Sequence, residues 1–488
     1  MSPPTIRHSM TSSTNCNLKF MTDGLPNEHS VFERRTIQDI YSEIREVYRR
    51  YSQPWVIGYS GGKDSTTVLQ MIWNALAELP SEERQKPVFV IASDTKVETP
   101  VIVDYIDQTL RRINEASHQA GMPFRAEKVM PTLNNSFWVN LIGRGYPAPT
   151  SRFRWCTERM KIEPANRFIA EKVGQYGEVI MVLGVRQTES STRMQLMKTY
   201  QVNDHLLRRH SMLPGAYVYA PIADFSTDDV WTYLLQVPSP WGGNNRDLAA
   251  LYRNASAGEC PLVIDDSTPS CGNSRFGCWV CTVATRDTSM EAMIDNGEEW
   301  LEPLLEFRDW LMVTIDPARK REFRDIRGRD GKVKFKNDGQ LAARTYTLDT
   351  SRLMLEKLLG MQRQIRQNGP DPQAVLIEEA ELHEIRRLWR TERQDWEDSV
   401  PRIFREANGY DLDWPTDDNG HFDDEQKQLL DRICSENEVP FDLIARLLEE
   451  ERRQNGMARR AGIQKGLQRV LAEEWRGEAE ILAEQAAL

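Results

Sequence analysis

The sequence predicts an α/β fold: a mainly parallel sheet with helices packed on both faces. Three observations carry this. Short β-prone apolar runs recur at 55–59, in PVFVIASDT (87–95) and in EVIMVLGVR (178–186). Helix-patterned stretches alternate with them, the rhythm of βα units and a parallel sheet. The second and third runs end in polar or charged groups, Asp94-Thr95-Lys96 and Arg186. That is the sheet edge where open α/β folds bind ligands.

In chain order, residues 1–30 are polar and are expected to form a flexible N-terminus. A helix follows over 37–51, with Ile40, Ile44 and Val47 facing inward. The 55–59 strand leads through a glycine pair into a second helix, whose Val68, Leu69, Ile72 and Leu76 recur at helical spacing. With the strands at 87–95 and 178–186, this α/β domain is expected to span 31–240. Residues 241–290 form a cysteine-rich segment. From 291 to 488 the character changes to a mainly helical accessory region. EEWLEPLLEFRDWLMV, LMLEKLLGMQRQI and VLIEEAELHEIRRLWRTE read as charged amphipathic helices, interrupted by DIRGRDGKVKFKNDG (325–339) as a loop or hairpin.

A chain of 488 residues is long enough for two or three domains with substantial cores. Its net charge of −11 excludes general affinity for polyanions, so nucleic-acid contact has to come from a local basic patch or a partner. No apolar run is long enough to span a bilayer. The opening MSPPTIRHSMTSSTNC lacks the hydrophobic core of a secretion signal. Seven unevenly spaced cysteines fit a reducing compartment and metal or redox chemistry. The expected location is cytoplasmic.

Ser60-Gly61-Gly62-Lys63-Asp64-Ser65 joins a strand to a helix N-terminus. Glycines there let a phosphate approach backbone N–H groups and the positive end of the helix dipole. Ser60 and Ser65 add hydroxyl donors, and Lys63 a point charge. This is not a Walker A loop, in which a hydroxyl residue rather than Asp64 follows the lysine. It resembles instead the SGGxDS PP-loop of the ATP pyrophosphatases. The resemblance implies an adenine nucleotide alpha hydrolase-like domain, ATP cut between its α and β phosphates, and Mg2+ on the polyphosphate. On it, Ser60, Gly61, Gly62, Lys63, Asp64 and Ser65 bind the nucleotide, and Asp94 is a further nucleotide or metal contact. Lys63 and Asp64 are catalytic candidates, as is Arg186, whose guanidinium fork suits a phosphate or sulfate oxygen pair. Arg193 reads equally well as an ion-pair partner of Glu189.

CGNSRFGCWVCT places Cys271, Cys278 and Cys281 close together, with Cys260 upstream and Cys156 in SRFRWCTERMKIEP. A C-x-x-C pair sets two thiolates on one turn, a bite that suits a tetrahedral metal or one face of an iron–sulfur cluster. A structural zinc on Cys260, Cys271, Cys278 and Cys281 fits this spacing as well. Cys16 and Cys434 read as small hydrophobes. RWCTERMKIEP, DTKVETP and GVRQTESSTR resemble segments of the phosphoadenosine phosphosulfate (PAPS) reductases and their relatives. The adenylylsulfate-reducing members hold a [4Fe–4S] cluster on cysteines like Cys156 and a later C-x-x-C. This implies Cys156, Cys271, Cys278 and Cys281 as ligands, with Cys260 an alternative to Cys271. The ending LAEQAAL lacks the Glu-Cys-Gly-x-His tail of thiol-dependent sulfonucleotide reductases, which argues against PAPS reduction by a C-terminal cysteine.

The order of these segments, with VWTYLL, SRFGCWVCT and the helical C-terminal part, is similar to the DndC family of DNA phosphorothioation sulfurtransferases. The similarity runs from about residue 35 to the mid-400s. It implies that ATP, going to AMP and pyrophosphate, activates a DNA backbone phosphate for replacement of a non-bridging oxygen by sulfur. It also implies a cysteine desulfurase as sulfur donor and other Dnd subunits as partners. Two alternatives stay open: another PP-loop sulfur enzyme (a sulfonucleotide reductase or tRNA thiolase), or a nucleotide-binding DNA-modification scaffold subunit with structural zinc. Arg152, Arg154, Arg159 and Lys161 make the surroundings of Cys156 basic. The densest basic run lies between Arg319 and Lys336, as a solvated face or a local DNA contact. Only weak DNA binding is expected from the acidic chain alone.

Overall fold

A capping box starts the first helix: Asp39 N–H donates to Thr36 Oγ1, and the Asp39 carboxylate accepts from Thr36 N–H. The computed structural model describes residues 30–187, 207–210, 213–254, 277–415, 422–453 and 462–487. Helix α1 (Ile37–Arg50) buries Ile40, Ile44 and Val47, as its spacing predicts. It is followed by β1 (Trp55–Gly58), α2 (Lys63–Ala77), β2 (Val88–Ser93), α3 (Pro100–Gln119) and β3 (Phe124–Val129). After these come α4 (Glu163–Tyr176), β4 (Val179–Val182), β5 (Leu207–Arg209) and β6 (Ala216–Tyr219). The sequence pattern did not mark β3, β5 and β6. β3 shows why: it lies at a sheet edge and exposes alternate residues, so FRAEKV carries little apolar signal.

The strand order is β3-β2-β1-β4-β6-β5, with the first five parallel and β5 antiparallel at the other edge. β1 is paired on both sides, Trp55 standing opposite Val88 and Ile180. A strand covered on both faces reads as a continuous apolar run, which is what made β1 and β2 legible. Their alternate residues serve two cores. Trp55, Ile57, Val88 and Val90 face α1, α2 and α3, while Val56, Phe89 and Ile91 pack with Phe168 and Ile169 of α4. From β1 the chain builds outward through β2 and β3, then returns to add β4 on the opposite side. The topological switch point therefore lies between β1 and β4, and the C-terminal ends of strands at such a point are where open α/β sheets bind ligands.

The core on the α1–α3 side continues into helices Glu302–Ile315, Leu348–Asn368, Glu379–Glu392 and Ser399–Asn408. Trp138, Trp279 and Phe307 form an aromatic cluster at the junction, with ring centres 5.8–6.0 Å apart. Trp138 Nε1 donates to Leu376 O at 2.6 Å, and Trp389 Nε1 to Ile142 O at 2.9 Å. The 325–339 stretch is a loop closed by the bridges Arg324–Tyr346 and Phe335–Leu341. Among the described residues, no helix is long and apolar enough to cross a membrane.

Candidate functional site

The glycine loop leaves the C-terminal end of β1 beside the switch point. Gly61 takes φ +74°, a backbone that favours glycine, and a Cβ there would stand 3.0 Å from Ile106. Ser65 Oγ donates to Gly62 O at 3.0 Å and accepts from Ser60 N–H at 3.2 Å, folding the loop onto the helix start. α2 begins without a side-chain cap from its N-cap residue, Gly62. Lys63 N–H instead donates to Tyr252 Oη at 3.1 Å. A helix N-terminus entered through glycines attracts anions.

Lys63 is 8 % exposed and Arg186 4 %. Both reach Asp64, Lys63 Nζ at 2.7 Å from Oδ2 and Arg186 Nε at 2.7 Å from Oδ1. Arg186 Nη1 also donates to Thr227 Oγ1 at 3.0 Å. Two cations share one carboxylate at the loop. Among the described residues, then, Arg186 is anchored internally, on Asp64 and Thr227. Gly184 is the reason. A Cβ there would lie 2.9 Å from Asp64 C and O and from Ser65 N, so only glycine lets the chain after β4 pass this close to α2. Asp94 stands outside this group. Its Oδ2 meets Lys128 Nζ at 2.9 Å, and its Oδ1 accepts from Lys96 N–H at 2.8 Å, shaping the turn after β2.

The C-x-x-C segment docks on that same turn. A backbone bridge pairs Glu98 with Cys278, and Trp279 N–H donates to Val97 O at 3.0 Å. Cys278 Sγ lies 3.4 Å from Thr95 Oγ1 and 4.0 Å from Glu98 Oε1. Burial pushes the Cys278 thiol up to about 12. Burial also raises Cys156, with the neighbouring Cys281 as the next cause, and raises Glu98. Lys161 acts in the opposite direction on both Cys156 and Cys278. Arg308, 1 % exposed, fixes the following turn by donating to Cys281 O and Thr285 O at 3.0 Å each, and to Ala284 O.

Cys156, Cys278 and Cys281 therefore share one electrostatic neighbourhood. Buried thiols of this kind suit a cation that takes up thiolate charge. However, among the described residues no three His, Cys, Asp or Glu side chains gather closely enough to hold a metal ion. Cys16, Cys260, Cys271 and Arg193 lie outside the described residues. The four-cysteine [4Fe–4S] site implied by the resemblance is thus unsupported by this geometry. The basic run is also largely absorbed internally. Arg319 pairs with Glu322 at 2.8 Å and Arg321 with Glu478 at 2.6 Å. Arg324 donates to the Ala343 and Arg344 carbonyls, and Arg327 to Glu474 O at 2.7 Å.

The sequence placed Thr95 at the ligand-binding sheet edge without a partner, and it gave no role to Glu98, Gly184, Thr227, Tyr252 or Arg308. Glu98 and Gly184 stand inside the recognised DTKVETP and GVRQTESSTR segments, and Thr227 follows the N-cap Ser226, whose capping box with Asp229 is legible. Tyr252 and Arg308 had no local signal, because their partners are remote in the chain.

Residues 54–284, just under half of the chain, match the phosphoadenosine phosphosulfate reductase domain family. Residues 425–472 match a small protein found in certain Dnd DNA modification systems. With the sheet and loop described above, these matches define the class. The chain carries a PP-loop α/β fold similar to the PAPS reductase domain, followed by a segment similar to a small protein of Dnd systems. Among curated proteins it is similar to two uncharacterized proteins of Methanocaldococcus jannaschii. One is 26% identical over 198 residues, covering 41% of this chain and 35% of the relative; the other is 24% identical over 226 residues, covering 46% and 41%. The chain thus spans only about two fifths of the length of these relatives. A solved structure, Candida glabrata FMN adenylyltransferase in complex with FAD and inorganic pyrophosphate, is similar at 14% identity and a TM-score of 0.26, covering 45% of this chain and 61% of that one. A likeness that weak carries nothing over to this chain.

Proposed function

We propose that the protein is a nucleotide-utilising sulfurtransferase of DNA phosphorothioate modification. The observation that carries this reading is the strand–glycine loop–helix at 60–65, with Lys63, Asp64 and Arg186 joined beside the switch point. The Dnd-system match at 425–472 supports DNA as the substrate class. In this reading residues 31–240 handle ATP, 241–290 carry the thiols, and 291–488 form a helical accessory region. Other Dnd subunits and a cysteine desulfurase are the proposed partners, and the cytoplasm is the proposed location.

ATP enters as its magnesium complex, with its β,γ phosphates on the 60–65 loop. A non-bridging oxygen of a DNA phosphate attacks the α-phosphorus. The new P–O bond forms as the α–β bridge breaks and pyrophosphate leaves. Lys63, held by Asp64, and the α2 N-terminus stabilise the charge that gathers on the departing oxygen. Sulfur at the sulfide level, released from a desulfurase persulfide by an external thiol, then attacks the adenylylated DNA phosphorus. A P–S bond forms, and AMP departs with the oxygen it activated. The iron–sulfur group that the resemblance implies on Cys156, Cys271, Cys278 and Cys281 takes no part in these steps, because the described cysteines do not gather closely enough to hold one. The PAPS reductase-type match also keeps a second reading, sulfur chemistry on a sulfonucleotide or a tRNA.

The test is product analysis with full-length protein, ATP, duplex DNA, desulfurase and cysteine. AMP, pyrophosphate and phosphorothioate-containing nucleotides after digestion are expected. Release of inorganic phosphate alone would overturn the reading. Sulfur found in tRNA or a sulfonucleotide, and not in DNA, would promote the second.

A further inference from the structure

Two arginines far apart in sequence, Arg159 and Arg329, converge on Tyr146, with Arg144 close by. Arg159 Nη2 and Arg329 Nη1 both donate to its phenol oxygen, at 3.4 and 3.2 Å. Their guanidinium carbons stand 5.4 and 5.6 Å from the ring centre. Arg144 is beside them, half-buried and within electrostatic reach of Arg329. Like charges this close repel; Glu392, paired with Arg329 and acting with Glu384 on Arg144, offsets part of that repulsion, and a further anion would offset more.

How the arginines are held is the second observation. Arg144 donates to Asn134 O at 2.8 Å, Asn134 Oδ1 at 3.0 Å and Asn140 Oδ1 at 3.5 Å. Arg159 donates to Asn135 Oδ1 at 3.0 Å and Asn140 Oδ1 at 3.3 Å. These acceptors are neutral: they aim the guanidiniums without cancelling their charge. Several other arginines of this acidic chain meet carboxylates, as in Arg35–Glu43, Arg45–Glu78 and Arg186–Asp64. Of the three around Tyr146, Arg329 alone has a carboxylate within ion-pair distance among the described residues, Glu392 at 3.0 Å.

The place is the third. Arg159 lies in the wide helical turn Thr157–Ile162 that follows Cys156. Trp155, next to Cys156, sits edge-on to Tyr146 with ring centres 5.7 Å apart. Phe153, between Arg152 and Arg154, is 46 % exposed, a face on which a nucleobase can stack. Guanidinium forks match the two non-bridging oxygens of a phosphodiester. Resting on the DNA reading above, we propose that Arg144, Arg159 and Arg329 form an oxyanion site around Tyr146 that takes a DNA backbone phosphodiester beside Cys156.

The test is equilibrium binding of fluorescent duplex DNA to the full-length protein from 50 to 200 mM salt, without ATP. It therefore stands or falls separately from the turnover assay. Arg144→Gln with Arg329→Gln removes charge but keeps hydrogen-bonding groups. The slope of log affinity against log salt should fall by about one for each phosphate no longer neutralised, and lysine at the same positions should restore it. Arg329→Gln alone, on an exposed loop, keeps the test valid if the double variant fails to fold; its slope should fall by about one. An unchanged slope in Arg329→Gln, or no duplex binding by the wild type at 50 mM salt, overturns the site. Inorganic phosphate that displaces DNA at equal phosphate concentration overturns its assignment to a phosphodiester.

Discussion

Asp64 uses both carboxylate oxygens on cations, Lys63 on one and Arg186 on the other, and all three side chains are largely buried. Removing each partner therefore has different consequences. Lys63→Ala leaves Asp64 paired with Arg186, so pyrophosphate release should be lost while the melting temperature stays near wild type. Asp64→Asn strips the counter-charge from two buried cations, and breaking a buried pair costs about 3–5 kcal/mol. That variant should lose both turnover and stability. Thermal unfolding beside a pyrophosphate assay separates the two, and an Asp64→Asn protein as stable as wild type would refute the anchoring role.

At the scale of elements, close approach decides the site. The chain after β4 meets the start of α2 at Gly184, where an added Cβ has only backbone to push against. Gly184→Ala should cost about 1–3 kcal/mol, as overpacking does, and should depress turnover by displacing Arg186. A variant with wild-type kinetics would show that the loop tolerates the shift. A second junction ties the end of α1 to the sheet: Lys86 Nζ donates to Tyr48 O and Tyr51 O at 2.5 Å and lies 3.9 Å from the Tyr48 ring centre. Burial holds its ammonium down to about 7, against 10.5 in an ordinary lysine. Between those values the unfolded chain binds a proton that the folded chain has released, so Lys86 makes stability rise with pH across that window. Urea unfolding at pH 7 and pH 9 should show this rise in wild type and a flatter one in Lys86→Met.

At the scale of the molecule, the basic run serves the chain's own architecture. Arg327 holds the Glu474 carbonyl, Arg321 pairs with Glu478, and Ile481 packs on Ile326 and Leu341. The loop at 321–344 is thus a seat for the terminal helices. Arg327→Ala combined with Ile481→Ala should make residues 424–487 more sensitive to limited proteolysis, leaving pyrophosphate release intact. Unchanged cleavage would show that other contacts hold the terminal helices. Arg329, from the same run, reaches Tyr146 instead.

The α/β class, the strands β1, β2 and β4, the PP-loop and the helical character after residue 290 were determined by the sequence itself. Each is a local property: a strand buried on both faces is apolar throughout, and a phosphate loop needs its glycines, lysine and helix start in succession. The edge strands were not legible, because a half-exposed strand such as FRAEKV carries little apolar signal. Within the site the types of Lys63, Asp64 and Arg186 could be read, but their pairing could not. Only the tertiary structure decided that Arg186 turns inward to Asp64, that Cys278 rests on Glu98, and that Arg324 and Arg327 bind carbonyls. A side chain's charge is written in its residue type, but what neutralises that charge depends on which distant segments the fold brings beside it.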